Sequence, residues 1–149
     1  MSKKTRQIML VEPEPLLAEV TAFRLELHGY RVEIVRSAEE ALQKVGSLQP
    51  DLILTDLQLP GMDGPGLIEQ LALDESTSEI PVIVLSVDAD LDCVQSVFNV
   101  GAKDFVVVPY HPEILEQKVA KHLAMPRGTK ASGGQATAGP VQVARASKG

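Results

Sequence analysis

The sequence predicts an α/β domain built on a doubly wound parallel sheet. Two observations support this prediction: five short apolar runs alternate with five helix-like patterns, and most of the apolar runs are continuous rather than alternating with polar residues. Continuous β-branched and aliphatic runs are typical of strands that are covered on both faces. Strict alternation of strand and helix favours parallel strands joined by right-handed crossovers.

The first two strand–helix units fill the first third of the chain. Strand 1 is predicted at 8–11, and its helix begins at Pro15, a residue suited to a first helical position. Strand 2 is predicted at 32–35, and Ser37 with Glu40 forms a capping-box signature for the following helix. The apolar stripe of the first helix consists of Leu16, Val20, Phe23 and Leu27.

Three further units complete the predicted domain, which covers residues 7–125. Their strands are predicted at 51–56, 81–86 and 105–108. Their helices are predicted at about 67–73, 91–100 and 112–124. From 126 to 149 the chain is rich in Gly, Ala and Ser, carries four basic residues and has no acid, so we expect a disordered basic tail.

The composition excludes several classes of function. The net charge is −6 and the tail carries +4, so residues 1–125 carry −10, which argues against a nucleic-acid interface. Aromatic residues make up only 3% of the chain, so stacking platforms for bases are not expected. The single cysteine, Cys93, excludes an internal disulfide, and no stretch is long enough to span a membrane. We therefore expect a cytoplasmic protein that binds neither nucleic acid nor membrane.

Polar side chains follow the predicted strands at the edge where parallel sheets bind ligands. Glu12 and Glu14 follow strand 1, Asp56 ends strand 3, and Ser86 ends strand 4. Clustered carboxylates repel one another unless a cation or a shared proton relieves the repulsion, and Mg²⁺ prefers such oxygen ligands. Taken separately, the loop at 12–15 is better explained as a rigid, soluble connection, and Asp56 is equally consistent with a helix-entry or turn residue. Only their joint placement favours a site.

Three motifs in this order resemble the receiver domain of bacterial two-component response regulators. They are "DLILTDLQLPGMDG" at 51–64, "PVIVLSV" at 81–87 and "GAKDFVVVPYHPEIL" at 101–115, and the resemblance extends over residues 7–124. It implies a flavodoxin-like fold with five helices and a five-stranded sheet in the order 2-1-3-4-5.

The resemblance also implies roles for individual residues. Asp56 matches the aspartate that accepts phosphate from a histidine kinase, and Gln58 matches the position whose backbone carbonyl binds Mg²⁺. Ser86 matches the hydroxyl that meets the phosphoryl group, and Phe105 matches the aromatic switch position. Pro109 matches a proline that follows a cis peptide bond.

Two positions depart from the pattern of the family. Glu12 matches the first of two acids after strand 1, which often binds the metal through water, but Pro13 stands where a direct metal ligand is usual. Val108 stands where the family has a lysine that pairs with phosphoryl oxygens. Since proline offers no side-chain oxygen, the candidate ligands Glu12, Asp56 and Gln58 predict weak Mg²⁺ binding.

These departures favour one function over two alternatives. We expect a single-domain, atypical receiver, or pseudo-receiver, that works through protein contacts and is not an enzyme. One alternative is a working Mg²⁺-dependent receiver that is phosphorylated on Asp56. The other is a small aspartate-nucleophile phosphohydrolase, which needs an acid where Gln58 stands. The resemblance implies a protein partner, a histidine kinase or a downstream protein, at the face of helix 4, strand 5 and helix 5, with a homodimer as a further form of contact.

Overall fold

A computed structural model describes residues 5–126 of the chain. Its five strands are β1 (Gln7–Val11), β2 (Arg31–Val35), β3 (Leu52–Asp56), β4 (Val82–Ser86) and β5 (Asp104–Val107). Its five helices are α1 (Pro15–Glu26), α2 (Ala38–Leu48), α3 (Gly64–Leu73), α4 (Leu91–Val100) and α5 (Pro112–Ala124). The predicted tail at 126–149 lies outside the described residues, except for Pro126.

The strands form a single parallel sheet in the order β2-β1-β3-β4-β5, which confirms the predicted fold class and strand order. Val11 pairs with Val35 on one side and with Thr55 on the other. Asp56 lies opposite Leu85 and Ser86 lies opposite Val107, so the carboxyl ends of the strands meet at one edge. No helix within residues 5–126 is long and apolar enough to cross a membrane.

Both faces of the sheet are buried, which explains the continuous apolar runs in the sequence. One face of β1 contributes Met9 and Val11 to a layer shared with α2, α3 and α4. The other face contributes Ile8 and Leu10 to a layer shared with α1 and α5. Because successive side chains of a strand point to opposite faces, each strand needs apolar residues at every position.

Helix α1 packs on the sheet with a face other than its apolar stripe. The residues that it buries are Ala18, Thr21, Ala22 and Leu25. The four larger residues of the stripe, Leu16, Val20, Phe23 and Leu27, are exposed. Three small side chains allow the helix to lie close to the strands, whereas the larger ones are directed away from the domain.

Helix α3 and strand β5 differ most from their predicted bounds. Helix α3 begins at Gly64, three residues before the predicted start, because Asp63 caps it: its Oδ1 accepts a hydrogen bond from Gly66 N at 2.9 Å. A side chain at position 64 would have its Cβ 2.6 Å from Leu57 Cα, so only glycine fits where this helix leaves the loop. Strand β5 is shifted by one residue towards the amino terminus, since it begins at Asp104 and ends at Val107.

Candidate functional site

The candidate site lies at the carboxyl edge of the sheet, where three strands end in polar residues. Glu12 directly follows β1, and its N–H donates to Val35 O at 2.9 Å, which extends the ladder by one bond. Asp56 is the last residue of β3, and Ser86 is the last residue of the neighbouring β4. The strand register therefore brings these three residues to the same edge, as the sequence predicted.

Glu12 is the most deeply buried acid at this edge, with only 1% of its surface exposed. Its Oε2 accepts a hydrogen bond from Glu14 N at 3.2 Å. Its Oε1 is buried and has no hydrogen-bond partner within residues 5–126. A buried carboxylate oxygen without a partner costs free energy unless it binds a proton or a cation.

The ionisation of Glu12 reflects this environment. Burial, and next the neighbouring Asp56 carboxylate, raise the pKa of Glu12 to about 8. The hydrogen bond from Glu14 N opposes the shift, while the negative charge of the nearby Glu14 carboxylate adds to it. At neutral pH Glu12 therefore keeps a proton.

Asp56 is half-buried and anchored at its base by the following loop. Its Oδ1 accepts a hydrogen bond from Gln58 N at 3.1 Å. Its backbone carbonyl accepts one from the hydroxyl of Thr55 at 2.9 Å. The first bond holds the carboxylate against the start of the loop, and the second holds the backbone at the strand end.

Glu14 has a different position from the other two acids. It is exposed and caps helix α1, because its Oε1 accepts a hydrogen bond from Leu17 N at 2.8 Å. The two acids of the loop at 12–15 therefore divide their roles. Glu12 turns into the edge of the sheet, whereas Glu14 starts the helix.

The two residues that depart from the family pattern bring no charge to this edge of the sheet. Pro13 is half-buried and has no side-chain oxygen. Val108 has an apolar side chain, its N–H donates to Ser86 O at 2.8 Å, and its peptide bond to Pro109 is cis. In the part of the chain that the structure describes, no lysine, arginine or histidine forms an ion pair with Glu12 or Asp56.

The available oxygen ligands fit a loosely held cation. Within residues 5–126 no group of three or more His, Cys, Asp or Glu side chains is placed to hold a metal ion. Two carboxylates remain, Glu12 and Asp56, together with the backbone carbonyl of Gln58. Because Mg²⁺ usually keeps several waters and needs only one or two carboxylates, the unpartnered Oε1 of Glu12 is consistent with such an ion.

Ser86 and Phe105 are both buried, but they lie in different surroundings. Ser86 Oγ accepts a hydrogen bond from Asp88 N at 3.0 Å, so its hydroxyl hydrogen stays available to a ligand. Phe105 lies in the apolar layer shared with α2, α3 and α4. Its ring is turned into the core. The resemblance identifies this residue as a switch, and the structure shows it in this one position.

The structure also contains a polar cluster that sequence reasoning did not find. Asp104, at the amino end of β5, is buried and hydrogen-bonded to Lys118 Nζ at 2.7 Å and to His122 Nε2 at 2.9 Å. Its Oδ1 also accepts from Phe105 N at 2.9 Å, and Lys118 Nζ donates to Phe105 O at 3.1 Å. The available signal was the four-residue spacing of Lys118 and His122, which puts both on one side of α5.

Comparisons with known proteins agree with this geometry. The model of the family "Response regulator receiver domain" matches residues 8–120. The DNA-binding response regulator MtrA of Mycolicibacterium smegmatis is 32% identical over 123 residues, which are 83% of this chain and 53% of MtrA. The chain thus spans about half the length of this curated relative.

Solved structures show the same fold. A response regulator described as putative, from Chloroflexus aurantiacus, aligns with a TM-score of 0.79 at 30% identity, covering 82% of this chain and 100% of that one. The receiver domain of the sensor histidine kinase PA1611 from Pseudomonas aeruginosa aligns with a TM-score of 0.76 at 24% identity, covering 82% and 100%. The five-stranded topology, the carboxyl edge and the family match lead to one conclusion: the chain belongs to the response regulator receiver domain family.

Proposed function

We propose that this two-component receiver domain is an atypical one, which signals through protein contacts and accepts phosphate on Asp56 poorly. The observation that carries the proposal is the buried Oε1 of Glu12, which has no partner within residues 5–126 and lies beside Asp56. A phosphoryl group on Asp56 would bring further negative charge to an edge where Glu12 already keeps a proton. No side chain described there supplies a compensating positive charge.

The size of the effect follows from the chemistry of phosphoryl transfer. Catalysis of this step consists mostly of positioning and of electrostatic stabilisation. Losing one preorganised group that stabilises a developing charge costs roughly 3 kcal/mol, or about 10²–10³ in rate. Val108 in place of lysine removes one such group, and Pro13 removes a metal ligand. We therefore expect phosphorylation to be slower than in typical receivers by at least that factor.

Magnesium would be held loosely by the residues that remain. The PA1611 receiver domain has a magnesium ion coordinated in its active site cleft. In this chain Asp56, the carbonyl of Gln58 and, through water, Glu12 would hold the ion. When bound, Mg²⁺ supplies positive charge that offsets the phosphoryl oxygens. Competition with the proton on Glu12 makes binding weaker as the pH falls.

A working phosphoacceptor is the second candidate function. It is favoured by the position of Asp56, which is half-buried at its strand end with Ser86 on the adjacent strand. In that case Asp56 attacks the donor's phosphorus, the P–N or P–O bond to the donor breaks, and Ser86 donates a hydrogen bond to the transferred group. A phosphohydrolase is a poorer candidate, since Gln58 has no acid to offer two residues after Asp56. Turnover of a generic phosphoester is expected to be absent.

Partner contacts are proposed at the face of α4, β5 and α5. Leu91, Val107 and Ile114, which belong to these three elements, are exposed. Tyr110 and Lys118 are unsuitable as probes of this face because both have partners within the chain. Tyr110 Oη forms a hydrogen bond with Thr21 Oγ1 at 2.7 Å, and Lys118 Nζ donates one to Asp104. Response regulators interact with histidine kinases, so a kinase or a downstream signalling protein is the proposed partner. Val107→Asp should weaken that contact without breaking any of these hydrogen bonds.

The phosphoryl proposal is tested by acetyl phosphate with Mg²⁺, read by intact mass. The wild-type chain should show little or no adduct under conditions in which a typical receiver is labelled. The double variant Pro13→Asp/Val108→Lys should gain an adduct, and adding Asp56→Asn to that variant should abolish it. Rapid, Asp56-dependent labelling of the wild-type chain would contradict the proposal and support the second candidate.

A further inference from the structure

Helix α1 presents an apolar stripe to solvent. Its four members are Leu16, Val20, Phe23 and Leu27, with exposed fractions of 68%, 46%, 59% and 61%. Single exposed apolar residues are common on protein surfaces, but a contiguous patch marks an interaction site. These four residues lie on one side of one helix, and Leu27 N donates to Phe23 O at 3.0 Å, so the last of them is still in helical register.

The spacing of the stripe is that of a coiled-coil seam. The four residues are separated by four, three and four positions, which are the a and d positions of a heptad. In this heptad register Ala18 and Leu25 both occupy position f, on the side of the helix opposite the seam. Both are buried against the sheet. The stripe therefore faces directly away from the domain, where a second helix can pack on it.

The flanks of the seam carry opposite charges. Glu19 occupies position g; it is exposed and forms no ion pair within residues 5–126. Arg24 occupies position e and is held by Glu116, which accepts from its Nε at 3.2 Å and from its Nη2 at 2.9 Å. These bonds use one edge of the guanidinium and leave its remaining N–H groups for a second acceptor.

We propose that α1 pairs in parallel with α1 of a second copy of this chain. In a parallel pair Glu19 faces Arg24 of the second copy, and symmetry repeats this contact. In an antiparallel pair Glu19 would instead face Glu26 of the second copy, and like charges repel. The first two residues of the seam, Leu16 at d and Val20 at a, also match the preference of parallel two-stranded pairs.

The size of the seam sets the strength of the pairing. The twelve residues from Leu16 to Leu27 extend about 18 Å, and such a seam covers less than the roughly 800 Å² per partner of a standard specific interface. The dimer is therefore reversible and forms with rising concentration. It places the carboxyl edges of both sheets at the same end of the assembly, because α1 starts at that edge in each copy. The pairing is independent of whether Asp56 accepts phosphate.

Sedimentation velocity across a concentration series tests the pairing. The average mass should rise from one chain towards two between about 10 µM and 1 mM, the range that resolves a dissociation constant of about 0.1 mM. Phe23→Glu, at the centre of the seam, should weaken association at least tenfold. Leu73→Glu is the matched control, since Leu73 is 78% exposed on α3, and it should leave association unchanged. A wild-type chain that stays monomeric throughout, or equal effects of both variants, would overturn the proposal.

Exchanging the charges beside the seam tests whether the molecule that packs on it is a second copy of this chain. Glu19→Lys and Arg24→Glu should each weaken self-association about fivefold. Mixing the two variants in equal amounts should restore it, because both cross-pairs are then of opposite charge. Glu116→Gln controls for loss of the contact with Arg24 within the chain and should leave association near wild type. Failure of the mixture to recover would mean that another molecule covers the seam.

Crosslinking tests the orientation. In a Cys93→Ser background, Leu27→Cys should form a disulfide with itself across a parallel seam, and so should Leu16→Cys in a separate sample. If crosslinks form only when the two variants are mixed, the helices are antiparallel and the proposed pairing is wrong.

Discussion

Two buried carboxylates at opposite edges of the sheet differ in how their charge is balanced. Asp104, at the amino end of β5, is hydrogen-bonded to Lys118 and His122, both from α5. Glu12, just beyond the carboxyl end of β1, is even less exposed, yet its Oε1 has no partner within residues 5–126. Both oxygens of Asp104 have side-chain partners on α5, whereas neither oxygen of Glu12 has a basic side-chain partner in the described part of the chain.

The pKa values show the consequence. Burial alone would raise the pKa of Asp104, but the hydrogen bonds from His122 and Lys118 lower it to about 2. Burial and Asp56 together raise the pKa of Glu12 to about 8. The comparison teaches that burial of an acid does not by itself mark a functional site. Asp104 joins β5 to α5, whereas Glu12 remains open to a proton, a cation or a partner's basic group.

Removing the charge of Asp104 should have the largest effect on stability. Asp104→Asn replaces the carboxylate that binds Lys118 and His122 with a neutral amide. We expect a loss of roughly 3 kcal/mol in the free energy of unfolding at pH 7. Urea denaturation followed by circular dichroism measures it. Asp92→Asn on α4 is the control, since Asp92 is exposed, and it should change stability by less than about 0.5 kcal/mol. A loss as small as that of Asp92→Asn would show that the Asp104 cluster does not stabilise the fold.

The pH dependence of the same cluster has a definite sign. The pKa of Asp104 is lower in the folded chain than its ordinary value of 3.8. Its stabilising contribution is therefore complete above about pH 4 and is lost as the pH falls towards 2. The difference in unfolding free energy between the wild-type chain and Asp104→Asn should shrink over that acid range.

Neutralising Glu12 should have the opposite effect. The pKa of Glu12 is raised from 4.5 to about 8, so its contribution to stability falls as the pH rises between these values. Glu12→Gln should match the wild-type chain near pH 4.5 and be more stable by roughly 2 kcal/mol near pH 8. Thermal unfolding across this range measures the difference, and Glu19→Gln on the exposed surface of α1 is the control. A destabilised Glu12→Gln at pH 8 would mean that the carboxylate is already balanced.

Supplying a positive charge near Glu12 should make the surroundings of Glu12 more like those of Asp104. Val108→Lys places an ammonium group where the family usually has one, which should lower the pKa of Glu12. The stabilisation produced by Glu12→Gln at pH 8 should then fall by about 1 kcal/mol in the Val108→Lys background. Val108→Met adds length without charge and should leave that stabilisation unchanged. The double-mutant cycle is read from unfolding free energies.

A smaller effect is expected where α1 meets the loop before α5. Tyr110→Phe removes the hydrogen bond to Thr21 and should cost about 0.5–1 kcal/mol at any pH from 5 to 8. Because a hydrogen bond between two neutral hydroxyl groups involves no charge, the loss should not vary with pH, in contrast to the Glu12 variant. Chemical denaturation at two pH values checks this.

Most of the fold could be predicted from the sequence because it depends on local patterns. The bounds of α4 and α5 agree with prediction, and Ser37 caps α2 by accepting from Glu40 N at 3.1 Å. The outward direction of the α1 stripe could not be predicted from periodicity. An apolar stripe shows that a helix has a packing face, but not whether this domain or another molecule packs on it.

The site was predictable only in part. Strand ends carried Glu12, Asp56 and Ser86 to one edge, because parallel register is fixed by the fold. The burial of Glu12 and the exposed, capping position of Glu14 depend on the direction of each side chain in a short loop, which sequence pattern does not give. The Asp104 cluster was missed because Lys118 and His122 are distant in sequence from Asp104, and each is unremarkable on its own.

Within residues 5–126 neither Glu12 nor Asp56 has a cationic partner, and Glu12 is expected to keep a proton at neutral pH. Side-chain carboxyl ¹³C shifts measured against pH in metal-free protein test it most directly, and the same spectra report Asp104 as an internal comparison. The account predicts a midpoint near 8 for Glu12 and near 2 for Asp104. A Glu12 midpoint near 4.5, the value of an ordinary exposed glutamate, would contradict it.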